Sequence, residues 1–414
     1  MKADQQGNIS TPPIQMRVAI VLALIALCGC SARRDIQQPL TLRPAPVGAA
    51  ADFVSVPQLS VNGGHVVLSW VENNDETSTL RFADYRGGAW TAPRTAATGN
   101  NWYLTPADVP SVMRLDDSGI VAEYLQTTDE AAEAYDLLLT FSNDDGRTWS
   151  APVSPHHDGT KTQHGFASLY QLVNGPLGLI WLDGRATRPD GGGNMHVRAA
   201  LFDRHGTQTS ESLVDDRVCE CCPTSIAIGT DGPIAAFRDR SATEVRNIAV
   251  SRLVHDAWTP SAIVHDDDWK IEGCPVNGPA IAARGRNVAV AWFTGKDDQG
   301  RAWAAWSADG GVTFAPPIRL DDEGSLGRVG VAMLDDRTAA AIWVESANGK
   351  TELRLRQLDA SGRRGPSQVV APFNGDHARG YPRIASVGDE LLLAWNEVDK
   401  TKTTVRTVAS AVSR

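Results

Sequence analysis

Seven large aromatic residues recur along this chain at nearly even intervals. Trp70, Tyr124, Trp181, Phe237, Trp292, Trp343 and Trp395 stand 54, 57, 56, 55, 51 and 52 residues apart. Each closes an apolar run that follows a short strand-like segment and a turn: Pro57–Trp70 (PQLSVNGGHVVLSW), Ser111–Tyr124, Leu169–Trp181, Cys222–Phe237, Asn277–Trp292, Arg328–Trp343 and Pro382–Trp395. A polar loop and a third apolar segment follow, such as Thr79–Tyr85, Asp136–Phe141, His196–Phe202 or Glu352–Leu358. Most units then add a turn and a fourth short segment, as at Trp90–Thr95, Ser150–Val153 and Pro316–Leu320. Four strands per repeat of this length predict β-propeller blades. The fold class expected is therefore all-β, a propeller of seven four-stranded blades. The seventh unit stops at its third strand, Thr403–Ala411. An N-terminal strand within Pro39–Val47 is expected to complete that blade and close the ring, which removes exposed sheet edges.

A closed all-β architecture accommodates 414 residues as one unit. The net charge of −10 and the lack of a basic stripe argue against nucleic acid as a partner. At the N-terminus, Arg17 precedes the apolar run Val18 to Leu27, too short to span a bilayer as a helix. It ends in Leu27-Cys28-Gly29-Cys30-Ser31, which resembles a bacterial lipobox. That resemblance implies cleavage before Cys30, lipidation of Cys30, and a place in the cell envelope, outside the cytoplasm, with membrane contact through the lipid alone. Met16 to Gly29 alone also makes a complete signal peptide, so Met1 and Met16 both stand as candidate starts. The expected division is a signal peptide over 1–29, a lipidated, Pro- and Ala-rich tether with the ring-closing strand over 30–51, and the propeller over 52–414.

Two stretches share one pattern: Ser142-Asn143-Asp144-Asp145-Gly146-Arg147-Thr148-Trp149 and Ser307-Ala308-Asp309-Gly310-Gly311-Val312-Thr313-Phe314. Asp, Asn and Gly suit a tight turn, and the closing aromatic anchors it. Both resemble the Asp-box (BNR) motif S-x-D-x-G-x-x-W/F of the sialidase-like propellers. In such blades the turn between third and fourth strands lies on the face away from the loops that enter first strands. Asp144 and Asp309 are thus expected to be structural. Sialidases have six blades, whereas the repeats here count seven, with six as the alternative.

The loops leading into first strands are polar and include Asn100–Pro110, His156–Gly165, Asp215–Cys222, His265–Cys274, Asp321–Arg328 and Asn374–Arg383. They hold five of the nine histidines: His156, His157, His164, His265 and His377. Two residues after the anchors come Glu72, Asp183, Asp239, Glu345 and Glu397, on the anchor's side of the strand. Arg185, Arg238, Arg240, Arg328 and Arg383 accompany them. This mixed ring offers paired carboxylates for glycoside cleavage and guanidinium forks for a substrate carboxylate; the alternative is ion pairs that hold blades together. The sialidase resemblance implies an arginine triad, a tyrosine nucleophile assisted by a glutamate, and an aspartate acid/base. By residue type these are Arg185, Arg240, Arg328 and Arg383 for substrate binding, with Tyr381, Glu397 and Asp183 as catalytic candidates. The family's Phe/Tyr-Arg-Ile-Pro motif belongs near the first blade, where this chain has Val56-Pro57-Gln58-Leu59; the nearest match is Tyr381-Pro382-Arg383-Ile384 in the last.

Beyond the signal segment stand four cysteines, Cys219, Cys221, Cys222 and Cys274. Export favours disulfides, with three pairings open. A soft-metal site with His265 nearby, or a redox role for the vicinal Cys221–Cys222 pair, are the alternatives. No cofactor is otherwise required. The functional expectation is a sialidase-like glycosidase of exo-alpha-sialidase type or a binder of a glycan or glycoconjugate, sialylated or not. The alternatives are a non-catalytic envelope scaffold for a protein partner and a cysteine-centred metal or redox protein.

Overall fold

A computed structural model of the protein describes residues 34–48, 53–54, 57–74, 76–115, 119–130, 133–188, 190–347, 349–373, 380–399 and 402–412. The expected signal peptide, Cys30 and His377 lie outside the described residues. Among those described, strands make up the framework with a single 3-10 turn at Lys296–Asp298, and no helix is long and apolar enough to cross a membrane.

Seven antiparallel sheets form a propeller ring. Their inner strands are Gln58–Asn62, Ser111–Arg114, His164–Gln171, Ser225–Gly229, Ala280–Arg284, Ser325–Met333 and Arg383–Val387. The seventh inner strand lies beside the first, so the ring is continuous. Blade six is representative, with Ser325–Met333, Thr338–Ala347, Lys350–Asp359 and Gln368–Phe373 in order from the centre outward. In blade two the fourth strand shrinks to one bridge, Leu139 to Val153. Arg43–Pro44 pairs with Lys402–Ala411 as the outermost strand of the last blade, with Arg43 opposite Ala409.

Second strands are buried on both faces because each blade is covered by its two neighbours. This is why they read as unbroken apolar runs rather than alternating ones. Val66 to Val71 and Leu177 to Asp183 are buried throughout. Trp70, Trp181, Phe237, Trp292 and Trp343 are completely buried and fill the spaces between blades.

A buried indole must place its N–H on an acceptor, and this explains the acids two residues on. Trp70 donates to Glu72 at 3.0 Å, Trp181 to Asp183 at 2.8 Å and Trp343 to Glu345 at 2.6 Å. Blade five has Thr294 at that position, and there Trp292 donates to Asp267 from the preceding loop at 2.7 Å. In blades one, three and six the acids expected to form a catalytic ring therefore serve their own anchors.

The two Asp-box-like turns share one hydrogen-bond scheme. Asp144 accepts from the amides of Arg147 and Thr148 and from the Thr148 hydroxyl, while Ser142 accepts from the Gly146 amide. Asp309, Thr313, Ser307 and Gly311 repeat it. Gly146 has φ +77° and faces Phe82, so a side chain there meets both a strained backbone and a ring. The Thr148 donors hold the Asp144 carboxyl well below the usual carboxylate range. The turn also ties blade two to blade one, through Arg94 to Asp145 at 3.5 Å and Trp149 edge-on to Phe82.

Candidate active site

The inner strands enclose a central channel of about 640 Å³ that all seven blades line. Its mouth on the loop-rich face is where the first strands begin, and there stands Tyr381. Its ring is buried against Ala107, Val109 and Phe166. Its hydroxyl donates to the Val276 carbonyl. Arg328 and Arg383 lie 5.8 and 5.7 Å from the ring centre, within cation–π range.

Both arginines are half-buried, yet among the described residues no carboxylate pairs with either. Arg328 donates to the Gly380 carbonyl at 3.1 Å, and Arg383 to the Pro57 carbonyl at 3.3 Å. Burial pushes the Arg383 guanidinium down to about 10 and lowers Arg328 as well, with only Tyr381 opposing. Desolvated cations without counter-ions are costly. They mark a site prepared for an anion.

The backbone at the mouth is strained. Phe166, Val276 and Arg328 hold φ of 53°, 47° and 56°, values that bulky residues rarely adopt. Each is locked by the site. The Phe166 amide donates to Asp108 at 2.7 Å, the Arg328 amide to Asn277 at 2.8 Å, and the Val276 carbonyl holds Tyr381.

Asp108 was not among the expected residues. It sits between Ala107 and Val109, the two that pack on Tyr381, and is 4% exposed. Burial pushes its carboxyl up to about 7, with the Phe166 amide opposing. Glu123 is also buried, and desolvation together with the Asp108 charge pushes it well up. The Asp108 charge opposes ionisation of Tyr103 and the buried Tyr135, and a carboxyl held near neutrality in such a place suits general acid/base work. The only signal in the sequence was membership of the polar loop Asn100–Pro110, because nothing local reveals that Asp108 is desolvated.

The other expected catalytic and binding residues have partners of their own. Asp183 is completely buried between Trp181 and Arg185, which donates at 2.7 and 2.8 Å. Burial alone would raise its carboxyl, but Arg185 holds it below the ordinary value. Arg185 also meets Glu211 at 2.9 Å. Arg240 is clasped by Glu244 and Glu220. Glu397 is half exposed and paired with Arg406. Asp239 has a carboxyl pushed up to about 6 by burial and the Asp215 charge. Arg238 is buried and donates to the carbonyls of Asn277, Arg246 and Phe293.

Cys221 is bonded to Cys274, which joins the loops leading into blades four and five with Cα atoms 6.1 Å apart. Cys219 and Cys222 remain as buried thiols. Burial opposes ionisation of Cys219, but the Cys222 thiol, the Cys221 amide and the Arg238 and Arg246 charges bring it down to about 6. Cys222 is pushed up.

No family model matches the chain, and no curated protein does. Among solved structures, a protein of unknown function from Dyadobacter fermentans superposes with a TM-score of 0.52 at 14% identity, over 89% of this chain and 99% of that one. The polysaccharide lyase Uly1 gives 0.51 at 10% identity, over 89% and 91%. The NanB sialidase from Streptococcus pneumoniae gives 0.45 at 9% identity, over 84% and 83%. The first two likenesses bear out the propeller fold.

Proposed function

We propose that this protein is an exported, carbohydrate-active propeller that binds an acidic glycan at the channel mouth. One observation carries the reading: Arg328 and Arg383 flank the buried Tyr381 with no carboxylate of the described chain to neutralise them. A sialic or uronic acid carboxylate supplies the missing charge through forked guanidinium hydrogen bonds. In its finer form the reading is exo-sialidase-type cleavage, with Tyr381 at the anomeric carbon. Asp108 takes the acid/base role, since both oxygens of Asp183 are occupied by Trp181 and Arg185. Lipidation at Cys30 would hold the propeller at the envelope membrane.

The test is calorimetric titration of residues 52–414 with a sialoside and with a uronate oligosaccharide, alongside a fluorogenic sialoside assay from mildly acid to neutral pH. Binding that Arg383→Ala removes and Arg240→Ala leaves intact supports the site. Binding without turnover reduces the reading to a glycan-binding protein. Neither acidic sugar binding at all would sink it and leave the envelope scaffold for a protein partner.

A further inference from the structure

A second cluster lies between blades two and three. His156 and His164 stack with ring centres 3.6 Å apart and planes 4° from parallel. His164 is completely buried and His156 is 7% exposed. Asp136, on the third strand of blade two, faces one edge of the stack: its Oδ1 is 3.8 Å from His156 Nε2 and 3.9 Å from His164 Nδ1. Asp158 faces the other edge, with Oδ2 3.6 Å from His156 Nδ1 and 3.2 Å from His164 Nε2. Yet among the described residues neither ring nitrogen of His164, nor His156 Nε2, nor Asp158 Oδ2 has a hydrogen-bond partner. Four buried polar atoms left without partners in one place are a large cost for a folded protein.

We propose that Asp136, His156 and His164 bind one divalent transition-metal ion of the zinc type. Their donor atoms lie within 4.8 Å of one another. Two imidazoles and a carboxylate are a donor set that zinc accepts, with a fourth position left to water or a ligand. Asp136 keeps a third of its side chain exposed, which leaves that position open toward solvent.

The far edge of the stack is arranged as support. The Thr160 amide and hydroxyl hold Asp158 Oδ1, which leaves Oδ2 to accept the N–H of His164 once Nδ1 is on the metal. Carboxylates behind ligating histidines fix the tautomer and the ring orientation in this way. Arg185 is the cation that competes for these acids, 3.5 Å from Asp158, but Asp183 and Glu211 already engage it. Binding requires the two rings to open from their parallel stack so that both lone pairs converge.

The experiment uses the purified propeller, stripped with a chelator, titrated with Zn²⁺ by calorimetry and with Co²⁺ by absorption spectroscopy. One ion per chain is expected, with the weak visible bands of nitrogen and oxygen ligation and no thiolate charge-transfer band. His164→Gln should abolish uptake, and the double change Cys219→Ser with Cys222→Ser should leave it intact. Should circular dichroism show His164→Gln unfolded, Asp136→Asn replaces it, with affinity expected to fall at least about 10-fold. No uptake by the folded wild type, thiolate bands, or uptake indifferent to the folded histidine or aspartate variant would each overturn the proposal.

Discussion

Two rims of the same face treat charge in opposite ways. On blades three and four, the two arginines expected to bind substrate are matched by carboxylates, while Arg238 bonds only to carbonyls. Arg185 lies between Asp183 and Glu211, and Arg240 between Glu244 and Glu220. At the channel mouth, among the described residues, Arg328 and Arg383 have only carbonyls and a tyrosine ring, while Asp108 has no cation within ion-pair reach and is pushed toward neutrality. Residues of identical type thus do different work. Paired charges stiffen a rim, whereas charges kept apart in a desolvated place remain available to a ligand.

Asp108→Asn gives the largest expected separation of the two regions. It should cut glycan turnover by about 10²- to 10⁴-fold while the fold persists. It should also remove a pH dependence. The unfolded chain releases the Asp108 proton near the ordinary value of about 3.9, and the folded chain holds it until about 7. The folded state binds more protons in that window, so its stability falls as pH rises, by at most about 1.4 kcal/mol per pH unit. Urea titrations at several pH values should show a shallower slope in the variant than in the wild type, the remainder belonging to the other raised carboxyls, Glu123 and Asp239.

Arg185→Ala leaves Asp183 buried and unpaired. Unfolding free energy should drop by about 3–5 kcal/mol, with acidic-glycan affinity unchanged in the folded fraction. A loss of affinity without a loss of stability would erase the distinction between the rims. Arg383→Ala is its mirror image. Calorimetry should register a loss of about 1.5–3 kcal/mol in binding, and thermal melting should show a stability equal to the wild type or higher. The smallest effect belongs to the opposite face. Asp144→Ala should lower the melting temperature less than Arg185→Ala and leave glycan binding untouched.

Much of the architecture was legible because propeller blades repeat. The anchors Trp70 to Trp395 bury between blades whatever the loops do, so their spacing alone counts seven units. The turns at Ser142 and Ser307 could be recognised because they are local: each is closed by bonds among residues within a few positions. The candidate site was legible only in part. Tyr381, Arg328 and Arg383 lay in loops already singled out, and the structure gathers them. The acids after the anchors formed a visible pattern whose purpose was hidden, since an indole's need for an acceptor appears only once the ring is known to be completely buried. Asp108 and the His156–His164 stack escaped notice because each depends on neighbours from another blade.

The sequence by itself determined the number of blades, the strand order and which face carries the variable loops, because period, turn chemistry and apolar runs are local properties that the ring merely repeats. The tertiary structure alone decided which charges are neutralised and which are left waiting. Arg185 finds its carboxylates on its own blade, in Asp183 two residues away and in Glu211. Desolvation at the channel mouth instead depends on packing between blades, where Tyr381 meets Ala107, Val109 and Phe166, and no local rule transmits that. Arg185 and Arg383 look alike in the chain; one has two carboxylates against it and the other has none among the described residues.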